Sequence, residues 1–203
     1  IGTNGVMVST NNIYQGAMSW QVRDVGDIDG DGIPDLISQL TSGETACWYL
    51  DANGAVDSTV NLYWGKTKAK VVGAGDIDRD GVADLIVQSK TAGIVCWFMN
   101  ADASIRSTTT ITNRTTWQVV GAGDINGDGY GDLVLSAPDF AKVYVVFGSA
   151  GGFPADINLA ALDGANGFTL ANGGDWTDNL GVGLSSAGDI NGDSLADLIV
   201  GAW

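Results

Sequence analysis

A nine-residue acidic pattern occurs four times in the chain, with its first Asp at positions 27, 76, 124 and 189. Oxygen-bearing side chains occupy positions 1, 3, 5 and 9 of each copy, and a tightly curled loop can place them around a hard cation with the position 7 carbonyl as a fifth ligand. The pattern predicts four Ca²⁺ loops, named loops 1 to 4 (residues 27–35, 76–84, 124–132 and 189–197). The expected ligands are Asp27, Asp29, Asp31, Ile33 and Asp35; Asp76, Asp78, Asp80, Val82 and Asp84; Asp124, Asn126, Asp128, Tyr130 and Asp132; and Asp189, Asn191, Asp193, Leu195 and Asp197.

Differences among the copies rank the four loops. Position 6 is glycine in loops 1 to 3, where it permits the sharp curl, and Ser194 in loop 4, where a positive φ would be strained. Loop 4 is therefore expected to be the weakest site. Loop 2 has four Asp side chains, and Arg79 at its position 4 is expected to temper their charge. Position 12 carries no Glu in any copy, so the loops are not EF-hands.

A metal-free alternative is a set of ordinary hairpin turns, because Asp-Gly and Asn-Gly are common turn dipeptides. A turn needs neither the first nor the ninth Asp, whereas a cation site uses both. Loop Asp residues also make up more than half of the 24 acidic residues in the chain. Several carboxylates in one loop repel each other unless a cation neutralises them, which favours the metal.

The spacing of the loops indicates a repeat architecture. A short apolar run follows each loop, as at Leu36-Ile37, and short runs bounded by turn residues are typical of buried strands. The loops begin 49, 48 and 65 residues apart, and a period near 50 built of short strands is typical of a propeller. Four strands are expected in one period, at residues 20–25, 35–39, 45–50 and 58–64. The sequence thus predicts an all-β fold, a β-propeller of four-stranded blades with a Ca²⁺ loop between the first and second strands.

The same period divides residues 1–203 as one propeller segment. Asn4-Gly5 and Tyr14 match Asn53-Gly54 and Tyr63 at an offset of 49, so the chain is expected to begin in the last strand of a blade and to belong to a larger ring. The predicted parts are the end of a preceding blade (1–19), two blades (20–68 and 69–116), a blade with an insertion (117–181) and the start of a further blade (182–203). The insertion at 149–180 is the best candidate for a binding surface, because extra length in a repeat usually lies on one exposed face.

Composition restricts the function. The chain has nine Lys and Arg against 24 Asp and Glu, so no basic patch is available for nucleic acid, and no apolar run reaches the length that spans a bilayer. It has no His, which removes the commonest general base, and the sequence predicts no enzyme and no catalytic residue. Asp residues outside the loops could pair as a glycosidase acid and base, but most lie in apparent turns. Cys47 and Cys96 occupy equivalent repeat positions and are expected to be free, buried thiols rather than a disulfide.

One stretch carries a family resemblance: residues 123–138, Gly-Asp-Ile-Asn-Gly-Asp-Gly-Tyr-Gly-Asp-Leu-Val-Leu-Ser-Ala-Pro, followed by Lys-Val-Tyr-Val-Val-Phe-Gly at 142–148. It resembles the FG-GAP repeats of integrin α-subunit propellers and their bacterial relatives, and the first two repeats look more like the VCBS-type subgroup of secreted bacterial proteins. Ser136 and Leu180 depart from the family's Gly-Ala-Pro and Phe-Gly, and Trp203 stands where Pro is expected. The resemblance implies a propeller, usually seven-bladed, located outside the cell or at its surface, with Ca²⁺ at the loops.

Two functional classes follow from these expectations. The first is an extracellular, calcium-stabilised adhesion or recognition module that binds a protein or glycan. The alternative is a structural or accessory, non-catalytic module of a larger surface assembly or a secreted enzyme. Both imply contact with the remaining blades of the same protein or assembly, no nucleic acid, and no membrane insertion by this segment. An anchor with many more repeats in the full-length protein would favour the first class, and a catalytic domain would favour the second.

Overall fold

The structure is a computed structural model of the 203-residue chain, and it describes residues 20–63, 69–154, 157–171, 180–188, 190–193 and 195–202. These residues form fourteen β-strands and two 3₁₀ helices of three residues each. Neither helix approaches the length needed to cross a membrane. The prediction of an all-β chain is confirmed for this part of the protein.

The strands fall into four sheets in chain order. Sheet 1 contains β1 (Gln21–Gly26), β2 (Asp35–Gln39), β3 (Thr45–Leu50) and β4 (Val56–Tyr63). Sheet 2 contains β5 (Lys70–Gly75), β6 (Asp84–Ser89), β7 (Gly93–Met99) and β8 (Ile105–Thr112). Sheet 3 contains β9 (Gln118–Gly123), β10 (Asp132–Ala137), β11 (Lys142–Val146) and β12 (Gly167–Ala171). Sheet 4 contains β13 (Gly183–Gly188) and β14 (Asp197–Gly201).

Each four-stranded sheet is an antiparallel meander in which sequence neighbours pair. The predicted strands at 35–39 and 45–50 match β2 and β3, and the other two are displaced by one or two residues. Residues 1–19, predicted to end a preceding blade, lie outside the described residues. The sheets are consistent with a segment of a propeller, and the division of the chain at the predicted blade boundaries stays a prediction.

The pairing of first and second strands places every loop at the same end of its sheet. In sheet 1, Gly26 pairs with Asp35, so that the eight residues between them form a closed turn. The equivalent pairs in sheets 2 to 4 are Gly75 with Asp84, Gly123 with Asp132, and Gly188 with Asp197. The repeat thus fixes position 9 of each loop directly opposite the residue that precedes position 1.

Apolar side chains fill the spaces between consecutive sheets. Ile37 of sheet 1 lies in one buried cluster with Leu85 of sheet 2, and Ile86 of sheet 2 lies in another with Leu135 of sheet 3. The first strands β1, β5, β9 and β13 are neighbours in sequence order, as the inner strands of adjacent blades would be. Each core reaches into a loop, because position 2 is a fully buried isoleucine in loops 1 and 2, at Ile28 and Ile77.

The two cysteines behave as predicted. Cys47 on β3 and Cys96 on β7 are both free and fully buried. They lie in different clusters, Cys47 between sheets 1 and 2 and Cys96 between sheets 2 and 3.

Candidate metal centres in the loops

Backbone conformation explains the tight curl of each loop. Position 6 has a left-handed φ of 86°, 89° and 88° at Gly32, Gly81 and Gly129, which confirms why glycine stands there. Position 4 is left-handed as well, with φ of 77° at Gly30 and 62° at Arg79. This second requirement was not predicted from the sequence, although glycine stands at position 4 in three of the four copies. Arg79 carries the strain that a non-glycine residue bears in this region.

The Asp at position 1 closes its loop from within. In loop 1, Oδ1 of Asp27 accepts hydrogen bonds from the amides of Gly30 (2.8 Å) and Asp31 (3.1 Å), and Oδ2 accepts from Gly32 (2.8 Å). Asp76 and Asp124 accept equivalent bonds from positions 5 and 6 of their own loops. The first Asp, which an ordinary hairpin turn does not need, is therefore a structural member of the loop.

The Asp at position 9 ties the loop to the third strand of its sheet. Asp84 is fully buried, its Oδ2 accepts from the amide of Ile77 at 3.1 Å, and its Oδ1 accepts from the amide of Met99 at 2.9 Å. Asp35 and Asp132 are buried in the same way and accept bonds from equivalent amides. These bonds orient position 9 towards the start of the loop.

Three carboxylates converge in each of the first two loops. Ligand atoms of Asp27, Asp29 and Asp35 lie within 4.8 Å of one another, and the same holds for Asp76, Asp78 and Asp84. Oδ1 of Asp78 is buried and has no hydrogen-bond partner in the part of the chain that the structure describes. An oxygen-only donor set with such an orphaned atom fits a hard cation, and Ca²⁺ takes carboxylate and backbone oxygens in flexible cages.

Burial favours the protonated form of several loop carboxyl groups, which would lose their protons if a metal ion bound. Burial raises the pKa of Asp84 to about 7, and the negative charges of Asp78 and Asp80 add to the increase. Burial also raises the pKa of Asp35, Asp76 and Asp132 above their ordinary value. Without a cation, the loops therefore disfavour full ionisation of their own carboxyl groups.

The remaining predicted ligands have other roles in the structure. At position 5, Asp31, Asp80 and Asp128 accept hydrogen bonds from the position 7 amides, so they shape the turn and are not members of the two carboxylate clusters among the described residues. In loop 3, Asn126 at position 3 donates from Nδ2 to Asp128 Oδ2 at 2.9 Å.

Loop 4 is described in part. Asn191 donates to Asp193 as Asn126 does to Asp128, and Asp197 Oδ2 accepts from Ile190 at 2.7 Å. Asp189 and Ser194 lie outside the described residues, so the predicted weakness of this site stays a prediction.

Consecutive loops are joined by a repeated backbone hydrogen bond that the sequence did not reveal. The amide at position 8 donates to the position 1 carbonyl of the preceding loop: Ala83 to Asp27 (2.6 Å), Gly131 to Asp76 (2.8 Å) and Ala196 to Asp124 (3.2 Å). In loop 1 this position is Pro34, which has no amide hydrogen to donate. The loops thus form a connected row along one end of the sheets.

The arginine that pairs with the carboxylates of loop 2 is Arg106, whereas Arg79 was expected to temper their charge. Arg79 does not turn back on loop 2: its Nη1 donates to the carbonyl of Asp128 in loop 3 at 3.3 Å, and the guanidinium lies over the Tyr130 ring. Arg106 on β8 instead forms ion pairs with Asp78 and Asp80 of loop 2. Nothing in the local sequence of loop 2 indicated Arg106, because the contact spans 26 to 28 residues.

The insertion in sheet 3 forms a cleft beside loop 3. The cleft has a volume of about 600 Å³ and includes Asp128 in its wall, with Phe147, Ile157 and Leu162 among its apolar lining residues. Asn158 and Asn166 add polar groups. The structure thus places a concave surface in the predicted binding segment, and its use in binding stays a prediction.

Comparison with known proteins places the repeats in a family. The family model for the FG-GAP-like repeat matches residues 27–87 and again residues 76–135, and each match starts at the first Asp of a loop. Together the two matches cover more than half of the chain. No curated protein matches the sequence.

Proposed function

The chain belongs to the FG-GAP-like repeat family, and we propose that it is a segment of a calcium-stabilised β-propeller that acts outside the cell as a non-catalytic adhesion or recognition module for a protein or glycan. The observation that supports the calcium part best is the convergence of three carboxylates in loops 1 and 2, with an unpartnered buried oxygen on Asp78. Backbone hydrogen bonds account for the carboxylates at positions 1 and 9, whereas no group of the described residues satisfies the buried Oδ1 of Asp78 at position 3.

The proposed site uses the side chains at positions 1, 3, 5 and 9 and the carbonyl at position 7 of each loop. Bound Ca²⁺ would neutralise carboxylates that otherwise repel each other next to the core. Extracellular modules bind Ca²⁺ with dissociation constants of about 10⁻⁴ to 10⁻³ M, and Ca²⁺ sites of that strength suit a protein outside the cell.

A propeller would explain the order of the sheets. Four sheets follow one another along the chain, their first strands are neighbours, and apolar clusters fill the spaces between them. The recognition role draws its support from the cleft beside loop 3, where an insertion adds a mainly apolar surface with a few polar groups.

A structural or accessory module of a larger assembly or secreted enzyme is the second candidate. It is favoured by the position 9 carboxylates, which are buried and held by backbone amides on both oxygens. An ion bound there would stabilise the blade and would not present an open coordination position to a ligand.

Thermal unfolding with and without calcium tests the proposal. Millimolar Ca²⁺ should raise the melting temperature relative to excess chelator, because a site at about ten times its dissociation constant contributes about 1.4 kcal/mol. Mg²⁺ should be a poor substitute, since it demands a small octahedral cage. Asp76→Asn should reduce the calcium effect, and Asp139→Asn, on an exposed residue outside the loops, should not. Coincident melting curves with calcium and chelator would refute calcium stabilisation.

Binding to arrays of glycans and immobilised extracellular proteins separates the two candidates. The recognition role predicts calcium-dependent binding that Ala165→Trp weakens, because residue 165 lines the cleft. Ala101→Trp, in the exposed turn after β7, is the matched control. Binding unaffected by either substitution would place recognition elsewhere, and no binding at all would favour the accessory role.

A further inference from the structure

Sheets 1 and 2 share an irregularity where the third strand pairs with the fourth. In sheet 1 the register shifts between Tyr49, opposite Ser58, and Leu50, opposite Val56. In sheet 2 it shifts between Phe98, opposite Ser107, and Met99, opposite Ile105. Each shift is a β-bulge that leaves one extra residue on the fourth strand, and bulges commonly redirect a side chain.

The extra residues are Asp57 in sheet 1 and Arg106 in sheet 2, which are 49 positions apart, as are the first Asp residues of loops 1 and 2. The two residues therefore occupy equivalent positions in the strand register of their sheets and carry opposite charges. Sheet 3 has no such bulge in the pairing of β11 with β12, and the insertion separates those strands.

In sheet 2 the bulge directs Arg106 onto the loop. One guanidinium nitrogen donates to Oδ2 of Asp78 at position 3, and the other donates to Oδ2 of Asp80 at position 5. The ring of Phe98 lies 5.8 Å from the guanidinium carbon, and Phe98 itself is buried in the core. The side chain of Arg106 is 37% exposed, so solvent can reach it.

This arrangement leaves part of the loop free for a cation. Arg106 occupies one oxygen of Asp78 and one of Asp80. Asp78 belongs to the cluster with Asp76 and Asp84, and its buried Oδ1 has no hydrogen-bond partner among the described residues. A bound Ca²⁺ would lie close to the guanidinium, and two cations at such separations repel each other. Without Ca²⁺, the same guanidinium offsets part of the negative charge of the loop.

We propose that the bulge residue of the fourth strand sets the calcium affinity of loops 1 and 2. Arg106 is an internal counter-ion that holds loop 2 in shape without calcium and lowers its affinity for the ion. Asp57, at the equivalent place, adds negative charge near loop 1 and raises its affinity. The inference rests on the proposed calcium binding, and it makes loop 1 the tighter site and loop 2 the less calcium-dependent one.

Reciprocal substitutions test the proposal. Arg106→Gln should lower the melting temperature in excess chelator and tighten calcium binding at loop 2 by about tenfold or more, as expected for removal of a nearby like charge. Asp57→Arg should do the opposite at loop 1, with a higher melting temperature in chelator and weaker calcium binding. Asp57→Arg controls for misfolding, because a misfolded variant would not gain stability in calcium-free buffer.

Calorimetric titration with Ca²⁺ alone and melting curves in chelator supply the two readouts. Arg114→Gln is the matched control, because Arg114 lies over the rings of Trp117 and Phe140 and not on a loop. Asp76→Asn removes a predicted ligand of loop 2 and identifies the titration step of that loop. Asp27→Asn does the same for loop 1.

The outcomes are distinguishable. If the unsubstituted protein responds to calcium but the bulge variants titrate like it, or if Arg106→Gln weakens binding, the present inference is wrong and the proposed function stands. If the unsubstituted protein shows no calcium response, calcium binding is wrong and this inference falls with it.

Discussion

Asp84 is a single residue at which burial and backbone hydrogen bonds shift the pKa of the carboxyl group in opposite directions. The residue is fully buried at the end of loop 2, and burial raises the pKa of its carboxyl group to about 7. The nearby charges of Asp78 and Asp80 raise it further, while the amides of Met99 and Ile77 lower it. Asp35, Asp76 and Asp132 are shifted in the same direction, again mainly by burial.

These shifts predict how stability changes with pH in calcium-free buffer. A raised pKa in the folded state means that the fold favours the neutral carboxyl, so the stabilisation is complete below the ordinary pKa of 3.8 and is lost as pH rises through about 7. The melting temperature without calcium should therefore be higher at a pH of about 5 than above 7. Millimolar Ca²⁺ should reverse the trend, because it competes with protons for the same oxygens. A calcium-free melting temperature that rises over this interval would contradict the assignment.

The thiols of Cys47 and Cys96 should report on unfolding. Burial raises the pKa of both thiols well above the ordinary value, and neither side chain is exposed. The thiolate is the reactive form, so iodoacetamide should label neither cysteine in the folded protein. Both should be labelled together when denaturant unfolds the adjacent sheets, as followed by mass spectrometry. Fast labelling of one cysteine under native conditions would show that its cluster opens independently.

At the level of strands and loops, local patterns were predictable and distant contacts were not. The strands β2 and β3 could be predicted because short apolar runs and turn residues delimit them. The left-handed φ at position 6 followed from glycine, and the loops followed from their acidic residues. The ion pairs of Arg106 could not be predicted, because they depend on a bulge in β8 that redirects its side chain. The partners are also 26 and 28 residues away in sequence. The contact of Arg79 with loop 3 was not predicted for a related reason: its position within loop 2 did not determine which loop its long side chain reaches.

The backbone bond between loops gives one peptide unit two roles. The Val82 carbonyl is a predicted ligand of loop 2, and the amide of the same peptide, on Ala83, donates to the Asp27 carbonyl of loop 1. A trans peptide directs its C=O and N–H to opposite sides, so the carbonyl points away from loop 1 when the amide points towards it. A cation on the carbonyl would polarise the peptide and strengthen the bond to the neighbouring loop.

Substitutions at Ala83 test this connection. Ala83→Pro removes the donor and places a ring against the Asp27 carbonyl, so it should lower the free energy of unfolding by at least the ~1 kcal/mol of a typical hydrogen bond. Ala83→Gly keeps the amide and is the matched control. Natural residues at this position include Pro34 in loop 1 and Gly131 in loop 3, so the loop itself accepts both. Equal stabilities of the two variants in urea unfolding would show that the bond contributes nothing.

For the molecule as a whole, the large negative charge is expected to destabilise the fold. The formal charge is −15, with 24 acidic residues against nine basic ones, and many of the acids lie in loops at one end of the sheets. Repulsion within this acidic end should destabilise the compact state when no cation is bound. Four bound Ca²⁺ ions would supply eight positive charges and take the formal charge from −15 to −7.

Salt should therefore act differently on the calcium-free and calcium-loaded protein. Raising NaCl shortens the screening length from about 30 Å at 0.01 M to about 10 Å at 0.1 M, which weakens repulsion between neighbouring loops. The melting temperature in chelator should rise over this range, and the rise should be smaller with saturating Ca²⁺, because the loop carboxylates are then neutralised. Choline chloride should reproduce the effect if screening causes it and Na⁺ binding does not. An equal salt dependence with and without calcium would mean that repulsion among the loop carboxylates does not limit the stability of the calcium-free protein.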